Sequence, residues 1–395
     1  MEKRPVRVYL DQKDFSRIGK GLQGSDQCEG DLIAYYAFKD LVKQGKARFY
    51  FSIVHFIEAL RYDDEKINLL KPYCEAVDTL TKGHCFKWPR TIEQEELDAW
   101  LHRQTNNDSA GNSSCPFGKG LDAFPKDSLR GLDLLPKIRA NLRDACRKLP
   151  PIQGMPLALA SQNDELLKRM ILQMPDSNYD SFIRDSAIKV TSRREFVEML
   201  FGDPDTRKKI LDKTFGTFSS LIPFSRDYPA IKKAGLMFDS SAETVGKAIT
   251  FLRDFSGQER MDPKKHHDDL VVKIVDSQKK KINEFCGNQK IDEMPLLEQL
   301  TKTALDDLPS LAMVIEASTE YYRLHRASPE KGRKPKQSDI ADIAHARHLP
   351  YVDIFCCDGF FANVLSGCKK RNVKVITRIS EVPNAIEQRY ETLAI

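Results

Sequence analysis

The 395-residue chain lacks several features that would assign it quickly. No uninterrupted apolar stretch approaches the ~18 residues of a membrane span, and mean hydropathy is -0.47. Its first residues, Met1-Glu2-Lys3-Arg4-Pro5, lead straight into a short apolar segment, without the longer apolar region and small-residue cleavage site of a signal peptide. The nine cysteines are an odd number and contain no CxxC pair; the one close pair is Cys356-Cys357. Zinc ribbons and disulfide frameworks need regular pairs, so free thiols in a reducing cytoplasm are expected. There is no GxxxxGK[ST] phosphate loop and no convincing GxGxxG after a strand, which disfavours a nucleotide-hydrolysing motor or a dinucleotide enzyme. A strong charge of one sign is missing too. The 62 basic and 57 acidic residues leave +5, which permits nucleic-acid binding without arguing for it.

What is present is the balance of a soluble globular protein, 41% apolar and 30% charged. At about 100–200 residues per domain, the length suggests two or three units. The pattern along the chain suggests a different layout. Val6 to Leu10 reads as a strand ending at Asp11, followed by a polar stretch with three glycines. Asp31 to Lys43 has helical spacing, closed by Gly45. Ala47 to Phe51 is a second strand. Ser52 can cap the helical run IVHFIEALRYDDEKINLLKPYCEAVDTL, and His84 to Trp88 is a short third strand. This βαβαβ order implies a parallel sheet. The far end repeats it: helix Ser338–Arg347, strand Val352–Cys357, helix Gly359–Leu365, strand Val373–Thr377. Between the ends, residues 104–128 read as a surface loop, and about 130–323 as mostly helical. The expected architecture is thus one α/β domain, built from 1–94 and 331–395 and interrupted by a helical insertion, 95–330.

In a parallel sheet all strand carboxyl ends lie at one edge, where functional groups collect. Asp11 ends the first strand and Asp358 ends IFCC, more than three hundred residues later. Glu58 lies one and a half turns into the helix that starts at the same edge. Asp339 and Asp342 project from one face of the helix opened by Ser338. Four or five converging acids repel one another unless a cation neutralises them, and oxygen ligands suit Mg²⁺ or Mn²⁺. His345 and His348 share the acidic helix at a spacing that could bind metal, but neither recurs with a cysteine or a third histidine. Structural or surface roles are expected for both, and a structural one for Asp353 in the PYVD turn.

The segment SDIADIAHARHLPYVDIFCCDGFFANVL resembles the C-terminal half of a PIN-domain nuclease, in which an acid opens a helix of the form D…A-x-A…LP before a strand ending in the last acid. Asp339, Ala344, Ala346, Leu349-Pro350 and Asp358 fit that form. VRVYLD and FSIVHFIEAL resemble the family's opening, with Asp11 as its first acid and Glu58 as its second. The tail VKVIT followed by ISEVPNAI resembles its last strand and closing helix.

The resemblance implies a PIN-like three-layer α/β/α parallel sheet and a metal-dependent endoribonuclease, and the free thiols place it in the cytoplasm. Asp11, Glu58, Asp339 and Asp358 would be its catalytic ligands for Mg²⁺ or Mn²⁺, with Asp342 replacing or supplementing Asp339. Such ions would activate water and stabilise the leaving oxygen. The basic run Lys331, Arg333, Lys334 and Lys336 would line the groove beside the metals and contact phosphates. The insertion would shape substrate choice or hold a protein partner. A DNA-directed nuclease of related fold and a non-catalytic RNA- or protein-binding scaffold are the alternatives; no membrane partner is implied.

Overall fold

The computed structural model describes residues 3–60, 67–106, 115–124, 164–173, 176, 179, 192–227, 308–327, 336–368 and 373–393. Lys331, Arg333 and Lys334 lie outside the described residues. The fold is α/β, organised on a four-stranded parallel sheet. Its strands are β1 (Val6–Leu10), β2 (Ala47–Tyr50), β5 (Ile354–Cys356) and β6 (Lys374–Ile376), in the spatial order β2-β1-β5-β6. The register sets Val8 beside Phe49 on one side and Ile354 on the other, so the two ends of the chain are hydrogen-bonded neighbours. A second, two-stranded sheet pairs β3 (His84–Phe86) antiparallel with β4 (Phe117–Lys119). A bridge from Phe51 to Cys85 joins β3 to the end of β2.

Strands buried on both faces read as continuous apolar runs, and both faces are packed. Val6, Val8, Leu10, Phe49, Ile354 and Ile376 point into one core. That core also holds side chains of α1 (Gln12–Leu22), α2 (Glu29–Lys43), α3 (Ile53–Ala59), α4 (Ile67–Thr81) and the C-terminal helix α13 (Val382–Thr392). Tyr9, Tyr50, Phe355 and Cys357 alternate to the other face. There they meet α5 (Pro89–Asn106), α10 (Pro309–Ala327) and α12 (Gly359–Gly367). Shorter helices of the central region, α6 (Asp164–Gln173), α7 (Arg193–Phe201), α8 (Pro204–Thr214) and α9 (Phe218–Asp227), contribute to the first core. Phe218 stacks on Phe56 with ring centroids 4.1 Å apart.

Three segments differ from the sequence expectation. The third strand, expected in the parallel sheet, is β3, which pairs antiparallel with β4 and meets the end of β2 through the Phe51–Cys85 bridge. The glycine-bearing stretch after Asp11 is helix α1, and Gly19 in it is a packing residue. A Cβ there would sit 3.0 Å from the backbone nitrogen of Tyr73, so its absence lets α4 approach. Within the expected 104–128 loop, Phe117–Lys119 forms β4 because Phe86 and Tyr50 offer Phe117 an aromatic face. Among the described residues no helix is long and apolar enough to cross a membrane.

Candidate metal centre

The carboxyl ends of β1 and β5 meet beneath α3 and α11 (Gln337–Ala346). The backbone N–H of Asp11 donates to Cys356 O at 3.1 Å, which fixes the first acid against the strand from the far end of the chain. Ser52 caps α3 by accepting from the Val54 N–H at 3.3 Å. One and a half turns on, this helix delivers Glu58 to the same edge. Helix α11 brings Asp342 and His345, three residues apart and therefore on one face. Oxygens of Asp11 and Glu58 and a ring nitrogen of His345 all lie within 4.8 Å of one another. His345 Nε2 is 3.1 Å from Glu58 Oε2 and 4.0 Å from Asp11 Oδ1.

The charges of this group are poorly compensated. Burial, then the negative charge of Glu58, pushes the Asp11 carboxyl up to about 7, while His345 acts in the opposite direction. Asp342 is pushed well above the carboxylate range by burial and by Asp11, Glu58 and Asp358. Asp14, one turn into α1, is raised to about 6, chiefly by burial. Raised values of this kind mean that the ionised acids are held where water cannot solvate them and no strong cation offsets them. Two carboxylates and an imidazole converging under those conditions form a donor set that fits a divalent cation.

Under the acids lies a knot of buried polar side chains. The Tyr9 hydroxyl is 2.6 Å from Ser52 Oγ and 2.6 Å from His345 Nδ1. Next to it the state of His55 is determined by its neighbours. Ser52 N–H donates to Nδ1 at 3.1 Å, so Nε2 carries the proton and donates to Leu10 O at 3.0 Å. His55 is therefore a neutral structural residue, its pKa lowered far below the ordinary value by burial and then by His345.

The remaining expected residues divide in their placement. Asp358 caps α12, its Oδ1 accepting from Phe361 N–H at 2.7 Å, and it borders the cluster through its charge on Asp342. Asp339, expected as a ligand, acts on Asp342 through its charge and also makes local bonds. Its Oδ2 accepts from the Tyr321 hydroxyl at 2.9 Å and from Lys336 N–H at 2.8 Å, closing the first turn of α11. Asp342 is the member of the repeated D-x-x-D whose carboxyl is raised by the charges of Asp11 and Glu58. Lys336 is exposed at the start of α11. His348 is fully buried and stacks on Phe86 with centroids 4.1 Å apart. Asp353 is held by Arg4 through two hydrogen bonds of 2.7 and 2.8 Å and by Arg7 N–H at 2.8 Å. The contribution missed from sequence is His345. Its signal was the spacing D-x-x-D-x-x-H, which places Asp339, Asp342 and His345 along one helical face.

Comparison of the chain with family models, with curated proteins and with solved structures finds no match.

Proposed function

We propose that the chain is a Mg²⁺- or Mn²⁺-dependent endoribonuclease built on a PIN-like core. The observation that supports this reading is the convergence of Asp11, Glu58 and His345, drawn from both ends of the chain, at the carboxyl edge of a parallel sheet, with Asp342 near enough to be raised by the charges of Asp11 and Glu58. A divalent cation bound there would neutralise the acids, polarise a phosphoryl oxygen and lower the pKa of a water molecule. Asp11, Glu58 and Asp342 would hold it. Asp358, already fixed as a helix cap, would border the space in which the scissile phosphate lies. In-line attack of water on phosphorus breaks the bond to the 3′ oxygen, leaving 3′-hydroxyl and 5′-phosphate ends without use of the ribose 2′-hydroxyl. The basic run ending at Lys336, at the start of α11, would supply phosphate contacts. Residues 95–330 would select the substrate or hold a partner.

The test is cleavage of matched single-stranded and duplex RNA and DNA by the purified chain, with EDTA, Mg²⁺ or Mn²⁺. The expected result is metal-dependent cutting of RNA with 5′-phosphate products, abolished in Asp342→Asn. Preferential cutting of DNA would assign the related DNA-directed activity. Metal-independent cleavage yielding 2′,3′-cyclic phosphates would overturn the reading.

A further inference from the structure

We infer that His345 supplies a nitrogen donor to the centre, so that the site selects Mn²⁺ or a similar transition ion over Mg²⁺. The inference rests on the metal-centre reading above and adds the chemical class of the ion. His345 is 1% exposed, and its Nε2 faces Glu58 and Asp11 rather than solvent. Ligands on neighbouring corners of an octahedron with bonds of ~2.1 Å stand ~3.0 Å apart. The 3.1 Å between His345 Nε2 and Glu58 Oε2 is the spacing of two such neighbours.

A histidine whose Nε2 lone pair is offered to an ion must carry its proton on Nδ1, and a buried Nδ1–H needs an acceptor. Tyr9 provides one. Its hydroxyl lies 2.6 Å from Nδ1 and 2.6 Å from Ser52 Oγ, and each hydroxyl can both donate and accept. With Nε2–H donating to Glu58, the order is Ser52 to Tyr9 to Nδ1. With the Nε2 lone pair offered outward, both hydroxyls turn, and Nδ1–H donates to Tyr9, which donates to Ser52. Either arrangement keeps the Tyr9–His345 and Tyr9–Ser52 hydrogen bonds, so the tautomer that binds metal still has a buried partner for Nδ1. His55, 5.1 Å away between ring centroids, has no such freedom because a backbone N–H and a backbone carbonyl fix its proton. Imidazole suits transition ions, whereas Mg²⁺ takes oxygen ligands and keeps its waters.

The deciding experiment is pulsed EPR of the Mn²⁺-loaded full-length chain, with ¹⁵N-histidine labelling to identify the nitrogen. A ¹⁴N modulation on Mn²⁺ is expected in the wild type. It should change on labelling and vanish in His345→Gln, which should also lower the ratio of Mn²⁺ to Mg²⁺ affinity by about tenfold or more. Tyr9→Phe keeps the ring in place and should weaken Mn²⁺ about tenfold while retaining the modulation. If His345→Gln does not fold, the labelled wild type and Tyr9→Phe carry the test. Mn²⁺ binding that depends on Asp342 but shows no histidine nitrogen would overturn this inference and leave the metal centre standing. Absence of Mn²⁺ binding altogether would overturn both.

Discussion

Asp11 and Asp353 stand at opposite ends of adjacent strands of one sheet, and the fold treats their charges in opposite ways. Asp353 lies before β5, where burial opposes its charge but hydrogen bonds from Arg4 and from Arg7 N–H outweigh that cost and hold its pKa below the ordinary value. Asp11 follows β1, where burial and the neighbouring Glu58 raise the carboxyl to about 7. The same residue type is a cross-link at one edge and a poorly compensated charge at the other. A buried acid with matched donors ties the chain ends together, since Arg4 and Asp353 are 349 residues apart. Buried acids gathered without such donors weaken the metal-free fold, and a divalent ion reverses the sign of their interaction.

The largest expected effect of removing an acid from the cluster is on activity. Asp342→Asn is expected to reduce metal-dependent RNA cleavage on the order of 10³-fold, since metal charge stabilisation is worth several kcal/mol. Single-turnover cleavage assays check this.

The next effect is on stability against pH. Because the folded-state pKa of Asp11 is raised, the folded protein binds the proton more tightly than the unfolded chain. Metal-free stability should therefore fall as pH rises from about 4 to about 7. At 1.36 kcal/mol per pKa unit the loss is on the order of 2–4 kcal/mol. Asp11→Asn should flatten this slope, while Mn²⁺, which needs the deprotonated acids, should stabilise increasingly over the same window. Denaturant titrations at a series of pH values, with EDTA or with Mn²⁺, give both curves.

At the opposite edge the sign reverses. The stabilisation from Asp353 is present above the ordinary carboxylate pKa and lost as pH falls through its lowered value. Arg4→Ala should cost about 1–2 kcal/mol near neutral pH, because the arginine is partly exposed. It should leave the response to Mn²⁺ unchanged. The smallest effect is expected for Asp339→Asn. Its amide oxygen can still accept from Tyr321 and Lys336 N–H, so stability should drop by about 1 kcal/mol. Mn²⁺ affinity, read by calorimetry, should stay within about threefold of wild type.

The acids and strands at the sheet edges were legible because each strand is a short apolar run buried on both faces and stopped by an acid, as in VRVYLD and IFCCD. Helix α1 was hidden because Gly19 and Gly21 look like helix breakers, whereas Gly19 answers to the backbone of Tyr73 in a distant helix. Nor could spacing separate Asp339 from Asp342, since residues three apart share a face. Tyr321, on α10, donates to Asp339, a contact that spacing alone does not show. His345 looked isolated because its partners, Tyr9, Glu58 and Asp11, are more than 280 residues away in the chain. Those contacts belong to tertiary structure; the local pattern shows only that His345 shares a helical face with Asp339 and Asp342.

A cation site at the poorly compensated edge would be visible in stability. The most direct test is the thermal unfolding midpoint at pH 7.5, with EDTA and across a Mn²⁺ titration, in the wild type and in Asp342→Asn. A saturable rise is expected in the wild type, following the mass-action dependence of a bound ligand, and none in the variant. An unchanged midpoint in the wild type, or the same rise in both proteins, would contradict it.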